Sequence, residues 1–169
     1  MTINPTQLLP DMQISEPVTM LTDYLLGGAG FYLGALLIRI TGPKNRISAR
    51  LWSIGFIISG IAALVGGTYH GFAVQLGDSL RGSLWNVTIY SIGASAGFMI
   101  SGVLASSIPR DDESARWLVT GVILTLVGFA IQQSSIRLLA NFNHNDIYHV
   151  VQIGALCLLF RGARLLRDP

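Results

Sequence analysis

The residues of this sequence that could carry chemistry occupy a few short stretches of an otherwise apolar chain. Asp146, His149 and Gln152 follow one another at intervals of three, which places all three on one face of a helix over two turns. His70 closes a different apolar stretch. Two imidazoles and a carboxylate suffice to bind zinc with one position open for water, and zinc-bound water loses a proton near neutral pH and attacks carbonyls. The pattern therefore permits a metal-dependent hydrolase.

Other uses of the same residues stay open. Histidines on two helices are also axial ligands of haem or chlorophyll, and Gly66, Gly67 and Gly71 around His70 would leave room for a flat ring. Polar residues are also common at helix ends, where they contact headgroups and water without further function. A Ser-His-Asp arrangement is not indicated, because Ser79 and Ser83 lie in a loop without the strand–turn–helix context of such sites.

The composition indicates a membrane protein. Of 169 residues, 51% are hydrophobic and only 12% are charged, and the mean hydropathy is +0.55. A soluble domain of this size needs roughly a quarter of its residues charged. The eleven basic residues fall between apolar runs and do not cluster, which argues against nucleic acid as a partner. The lipid bilayer is the expected surrounding.

Five stretches are long enough to cross a bilayer, which takes about 20 helical residues. The sequence predicts an all-α, polytopic bundle of five transmembrane helices in a single domain, residues 19–169, preceded by an extramembrane arm, residues 1–18. The predicted spans are Thr19–Ile40, Leu51–Phe72, Trp85–Ile108, Trp117–Leu138 and Asp146–Leu166.

The distribution of basic residues predicts the orientation. Nine Lys and Arg residues fall on one side of the five spans, and only Arg81 and Arg137 fall on the other. The positive-inside rule then puts the N-terminus outside and the C-terminus in the cytoplasm, in a cell (inner) membrane. With this orientation the outer half of the bundle holds a predicted polar pocket, lined by Asp23, His70, Gln132, Gln133, Asp146 and His149. Ionisable residues at membrane depth are a functional-site hypothesis by default.

Three short motifs resemble those of a known family. Residues 16–24 (EPVTMLTDY), residues 66–72 (GGTYHGF) and residues 145–152 (NDIYHVVQ) are similar to the acid, histidine and terminal-histidine motifs of the CREST superfamily, which contains alkaline ceramidases and the progestin and adipoQ receptors. The resemblance implies zinc held inside a helical bundle by His70 and His149, and hydrolysis of lipid amides. The chain has five predicted helices where the superfamily has seven. It also has Asn145 where a further histidine is usual, so His144, one residue away, is the candidate third ligand.

Two main functional hypotheses follow. The first is a membrane-embedded, metal-dependent hydrolase of a lipid-like substrate, in which His70, His149 and His144 bind zinc and Asp146 or Asp23 is a ligand or general base. The second is a non-enzymatic subunit of a larger membrane complex or a homo-oligomer, with histidines that bind haem or chlorophyll or nothing. It would pack through small-residue faces, namely Gly30-x-x-x-Gly34, Ala63-x-x-x-Gly67 and Gly93-x-x-x-Gly97. A proton or ion path is a third, less favoured hypothesis.

Overall fold

The chain folds into five long helices and one small hairpin. A computed structural model describes residues 13–41, 46–106, 113–134, 136–139 and 142–169. The elements are α1 (Pro17–Ile40), α2 (Arg46–Gly71), α3 (Asp78–Leu104), α4 (Glu113–Gln133), β1 (Arg137–Leu139), β2 (Phe142–Asn143) and α5 (His144–Ala163). The helical class predicted from the sequence is confirmed, with the antiparallel pair β1–β2 as an addition.

Four of the helices, α1 to α4, are long and apolar enough to cross a membrane. The chain is therefore an integral membrane protein by the length and composition of its helices. Three helix bounds differ from the predicted spans by five residues or more: α2 begins at Arg46 rather than Leu51, α3 begins at Asp78 rather than Trp85, and α4 ends early. This helix ends at Gln133, five residues before the predicted Leu138, because Arg137–Leu139 pairs with Phe142–Asn143 instead of continuing the helix. Helix α5 coincides with most of the predicted fifth span but is less apolar than the other four.

The principal contacts place the helices in the order α3, α2, α1, α5, α4, so that α1 lies between α2 and α5. Glycines allow α1 and α2 to approach closely. A Cβ atom added at Gly30 would lie 2.8 Å from the carbonyl oxygen of Phe56, and one added at Gly60 would lie 2.9 Å from the carbonyl oxygen of Gly27. Gly30, in the Gly30-x-x-x-Gly34 motif, therefore packs on α2 of the same chain, and backbone proximity of this kind is a common way to join helices in lipid.

The outermost helices are largely uncovered. Within the most apolar 18-residue stretch of each helix, 44% of the residues of α1 and 50% of those of α2 are buried. The buried share is only 17% in α3 and 22% in α4. A Cβ atom added at Gly93 or at Gly97 would meet nothing within 4 Å among the described residues. The predicted small-residue contact at Gly93-x-x-x-Gly97 is therefore not made within the chain.

The end of α1, the start of α2 and the C-terminal segment meet at one end of the bundle. Leu37, Trp52, Phe56, Leu156 and Leu166 belong to one buried apolar cluster there. Beyond it, the Asp168 carboxylate accepts hydrogen bonds from the backbone N–H groups of Ile47 and Ser48 and from the Ser48 hydroxyl. This carboxylate satisfies N–H groups in the first turn of α2, which have no partner within the helix.

Candidate active site

One buried imidazole joins α1 to α5. His149 Nδ1 lies 3.0 Å from the Thr22 hydroxyl oxygen, and His149 Nε2 lies 3.1 Å from Asp23 Oδ1. The three residues are only 7% (Thr22), 4% (Asp23) and 5% (His149) exposed. We call this set the Thr22–His149–Asp23 triad. It brings together a hydroxyl, an imidazole and a carboxylate, the three groups of a nucleophile, a base and an orienting acid.

The sequence around each residue explains how the triad forms. Thr22 and Asp23 are neighbours on α1, so their side chains point about 100° apart, and both reach the same ring only because it lies between them. On α5 the ring is fixed by a strong helix start. The Asn143 side chain accepts from Asn145 N at 2.8 Å, and Asp146 Oδ2 accepts from Asn143 N at 2.7 Å. This capping box sets the first turn of α5 and places His149 one turn further on.

The position of one proton determines what the triad can do. The Thr22 hydroxyl lies 3.0 Å from the Thr19 carbonyl oxygen as well as 3.0 Å from His149 Nδ1, and its single proton can bond to only one of them. When the Thr22 hydroxyl donates to the Thr19 carbonyl oxygen, His149 Nδ1 carries a proton and donates it to Thr22 Oγ1. The contact between His149 Nε2 and Asp23 then requires a second proton, on either the ring or the carboxyl group. When the Thr22 hydroxyl donates to His149, Nε2–H donates to the Asp23 carboxylate. This second state is the arrangement in which an imidazole takes a proton from a hydroxyl.

The second oxygen of Asp23 lies beside Gly66 of α2. Asp23 Oδ2 is buried and has no hydrogen-bond partner in the described part of the chain. Gly66 of α2 faces this carboxyl group, and a Cβ atom added at Gly66 would lie 3.7 Å from both Asp23 oxygens and 3.6 Å from the Thr88 methyl carbon. An unpartnered buried carboxylate oxygen carries a desolvation penalty, which is more commonly tolerated at functional sites than elsewhere.

A second acid–histidine contact lies nearby. His70 Nδ1 is 3.3 Å from Glu16 Oε2, which is an ion-pair distance without the geometry of a hydrogen bond. Ser15 N donates to Gly71 O at 2.8 Å, so the segment before α1 is attached to the end of α2. This contact is separate from the triad, because neither His70 nor Glu16 bonds to Thr22, Asp23 or His149 in the described structure.

The remaining predicted pocket residues have other surroundings. Asp146 is completely buried, and its capping-box bond gives it a structural role, although its Oδ1 has no partner in the described ranges. His144 is the first residue of α5. At the end of α4, Gln132 is half-buried and Gln133 is exposed.

Two of the predicted zinc ligands, His149 and His70, contact protein groups. Both ring nitrogens of His149 face protein groups, and His70 Nδ1 faces Glu16. Within the ranges that the structure describes, no three His, Cys, Asp or Glu residues form a group that could hold a metal ion. Zinc binding through His70, His144 and His149 stays a prediction, and no step of the chemistry below passes through a metal.

Two of the three glycines that were expected to leave room for haem or chlorophyll beside His70 pack against α1. A Cβ atom added at Gly67 would lie 2.8 Å from the Tyr24 ring, and one added at Gly71 would lie within contact distance of the Met20 side chain. These glycines therefore serve the packing of α2 on α1. Pigment binding also stays a prediction.

Thr22 is the residue that sequence reasoning missed. Only serines were considered as nucleophiles. The two in question, Ser79 and Ser83, were expected in a loop, but the structure places both in the first turns of α3. A signal was present in the dipeptide Thr22-Asp23, which puts a hydroxyl and a carboxylate side by side in an apolar helix. Only the position of α5 shows that both reach one imidazole.

Comparison with known proteins gives a family but no activity. One family model, described as a family of unknown function (DUF6962), matches residues 18–111 and 99–168, and the two matches together cover most of the chain. No curated protein and no solved structure matches the chain. The residues of the site itself are therefore the basis for assigning a function.

Proposed function

The chain belongs to the family of unknown function DUF6962, and we propose that it is a membrane-embedded hydrolase of an ester or amide bond in a lipid-like substrate. The observation that supports this proposal is that a single buried imidazole contacts a hydroxyl through one nitrogen and a carboxylate through the other. Interhelical hydrogen bonds between polar residues are common in membranes, but they do not require this combination of three groups.

The triad provides each proton transfer that acyl transfer needs. His149 Nδ1 takes the Thr22 hydroxyl proton as Thr22 Oγ1 bonds to the carbonyl carbon of the substrate. Asp23 orients the ring and stabilises the imidazolium that forms. The same Nδ1 proton passes to the leaving alcohol or amine as the bond to the carbonyl carbon breaks. Water, deprotonated by His149, then releases the acid from Thr22 and restores the hydroxyl.

The proposal includes the arrangement of the chain in the membrane. We infer that α5 is a fifth span, since its 20 residues extend about 30 Å, the thickness of the hydrocarbon core. The N-terminus then lies outside and the C-terminus in the cytoplasm of a cell (inner) membrane, as the basic residues favour. In this orientation the triad lies in the outer half of the bundle, at a depth where the carbonyl groups of lipids are within reach.

The direct experiment is lipid turnover by the purified protein in nanodiscs. A panel of glycerophospholipids and N-acyl lipids is incubated with the protein, and released fatty acid is quantified by mass spectrometry. We expect release from at least one lipid class, lost in His149→Gln and Asp23→Asn. His144→Gln is the matched control, because His144 begins the same helix but does not contact the triad in the described structure. Equal release by all four proteins, or none by the wild type, would contradict the proposal.

A second function, as a subunit of a membrane assembly, is favoured by one observation. The small-residue face of α3 at Gly93 and Gly97 has no neighbour within 4 Å in the described part of the chain. We propose that this face packs on a second copy of the chain or on a partner subunit. Disulfide crosslinking between chains that carry Gly97→Cys tests this. The exposed native Cys157 is first replaced by Ser, so that any crosslink must involve position 97.

A further inference from the structure

A cavity lies at the end of the bundle opposite to the triad. It has a volume of about 290 Å³ and is lined by Ile38 and Thr41 from the end of α1 and by Ala49 and Arg50 from the start of α2. This volume is near the lower limit of small-molecule sites. It accommodates a headgroup-sized polar ligand but not a whole lipid.

Among the described residues around the cavity, Arg50 is the side chain whose donor groups are available. The Thr41 hydroxyl already donates to the Leu37 carbonyl oxygen. The Ser48 hydroxyl and the N–H groups of Ile47 and Ser48 all donate to Asp168. Arg50 is exposed and forms no ion pair in the described part of the chain. A guanidinium group in this position is suited to a phosphate oxygen, with which it can form two parallel hydrogen bonds.

The surroundings of the cavity favour a lipid over a soluble anion. Ile38, on the cavity wall, is 54% exposed and lies within a helix that is apolar enough to cross the membrane. Most of the basic residues of the chain are predicted at this end, including Arg39 and Arg167, which are exposed in the structure. A phosphate group on Arg50 would leave the acyl chains of a lipid against the apolar surface beside Ile38. Basic pockets at the ends of membrane helices are typical sites for anionic headgroups.

We propose that this cavity binds the headgroup of one anionic phospholipid, with its phosphate on Arg50. Asp168 supports the site indirectly, because it satisfies the first N–H groups of α2 and so holds Arg50 in place at the cavity mouth. The proposal is independent of the chemistry at the triad.

The test is native mass spectrometry of the protein released from vesicles of equal parts phosphatidylglycerol and phosphatidylcholine. We expect the wild type to retain one phosphatidylglycerol molecule, and Arg50→Gln to retain about fivefold less, which corresponds to about 1 kcal/mol for one arginine near the membrane surface. Arg116→Gln is the matched control, an exposed arginine on α4 that does not line the cavity. We expect it to retain the lipid as the wild type does.

Three results would overturn the proposal. Equal loss in Arg50→Gln and Arg116→Gln would show a diffuse charge effect, and equal retention of phosphatidylcholine would show that the negative headgroup is not recognised. Displacement of the lipid by inorganic phosphate at millimolar concentration would assign the cavity to a soluble anion.

If Arg50→Gln fails to fold, the unfolding temperature of the wild type is measured with each lipid. A larger increase with phosphatidylglycerol supports the site, and equal increases overturn it.

Discussion

His149 Nε2 lies 3.1 Å from Asp23 Oδ1, although the two residues are separated by most of the chain and come from helices near its two ends. Both side chains are only 6% exposed. Burying an imidazole and a carboxylate is costly unless they pair, and here Thr22 occupies the other ring nitrogen. The contact therefore fixes α1 to α5 and at the same time creates a group that can move a proton.

The role of Thr22 as nucleophile predicts different results for two substitutions. Thr22→Val keeps the shape of the side chain but removes the oxygen, and we expect hydrolysis to fall by at least about a thousandfold. Thr22→Ser keeps a hydroxyl and is expected to retain activity within about tenfold. Fatty acid release in nanodiscs measures both. If Thr22→Val stays as active as Thr22→Ser, Thr22 has a structural role only.

The unpartnered oxygen of Asp23 predicts a stabilising substitution on α2. Gly66→Ser introduces a hydroxyl whose Cβ would lie 3.7 Å from both Asp23 oxygens, close enough for it to donate to Oδ2. We expect the free energy of unfolding to rise by about 1 kcal/mol, the usual net value of a hydrogen bond. Gly66→Ala is the control, since it adds the Cβ but no donor. Equal stability of the serine and alanine variants in a denaturant titration would contradict the conclusion that Asp23 Oδ2 is free to accept a hydrogen bond.

Gly30 of α1 is closely packed and Gly93 of α3 is not, so substitution by valine should have different effects at the two positions. Gly30→Val forces a side chain into the Phe56 carbonyl oxygen at 2.8 Å and should destabilise the monomer by about 1–3 kcal/mol. Gly93→Val meets nothing within 4 Å among the described residues and should leave the stability of the monomer unchanged. Unfolding of the detergent-solubilised chain tests both. A comparable loss in the two variants would mean that α3 is packed within the chain.

The bonds to Asp168 predict how stability depends on pH. Burial raises the pKa of Asp168, but hydrogen bonds from the Ser48 hydroxyl and from the N–H groups of Ile47 and Ser48 outweigh it and lower the pKa below its ordinary value. A carboxyl group with a lowered pKa stabilises the fold above its unfolded pKa of about 4, and this contribution is lost as the pH falls through the folded pKa.

Asp168→Ala should therefore lower the free energy of unfolding by about 1 kcal/mol at neutral pH, the usual effect of losing a helix-capping group. The difference from the wild type should shrink as the solution is acidified below about pH 4. Thermal unfolding across a pH series measures it. A difference that stays constant with pH would show that the charge of Asp168 is not involved.

Much of the architecture could be predicted from the sequence because lipid imposes strong constraints. Apolar length identified all five helices, and turn residues placed most of their ends close to those observed. The end of α4 could not be predicted, because Leu138 and Leu139 read as a continuation of an apolar helix. The pairing of Arg137–Leu139 with Phe142–Asn143 depends on contacts in the folded chain, which the composition of the segment does not reveal.

The sequence patterns grouped Asp23 and His149 but did not predict which side chains they contact. Asp23 and His149 were both expected in one polar layer, and the structure puts them in direct contact. Which partners meet within that layer depends on helix rotation, and the sequence patterns did not fix it. In the structure His149 contacts Thr22 of α1 and His70 lies beside Glu16, and zinc binding by His70, His144 and His149 stays a prediction.

The proposal that His149 activates Thr22 as a nucleophile is tested most sharply by looking for an acyl group bound to Thr22. The wild-type protein in nanodiscs is incubated with an activated lipid ester, quenched in acid and digested, and its peptides are analysed by mass spectrometry. We expect an acyl mass on Thr22 in the wild type, and its absence in His149→Gln. An acyl group on another residue, or equal labelling of Thr22 without His149, would contradict it.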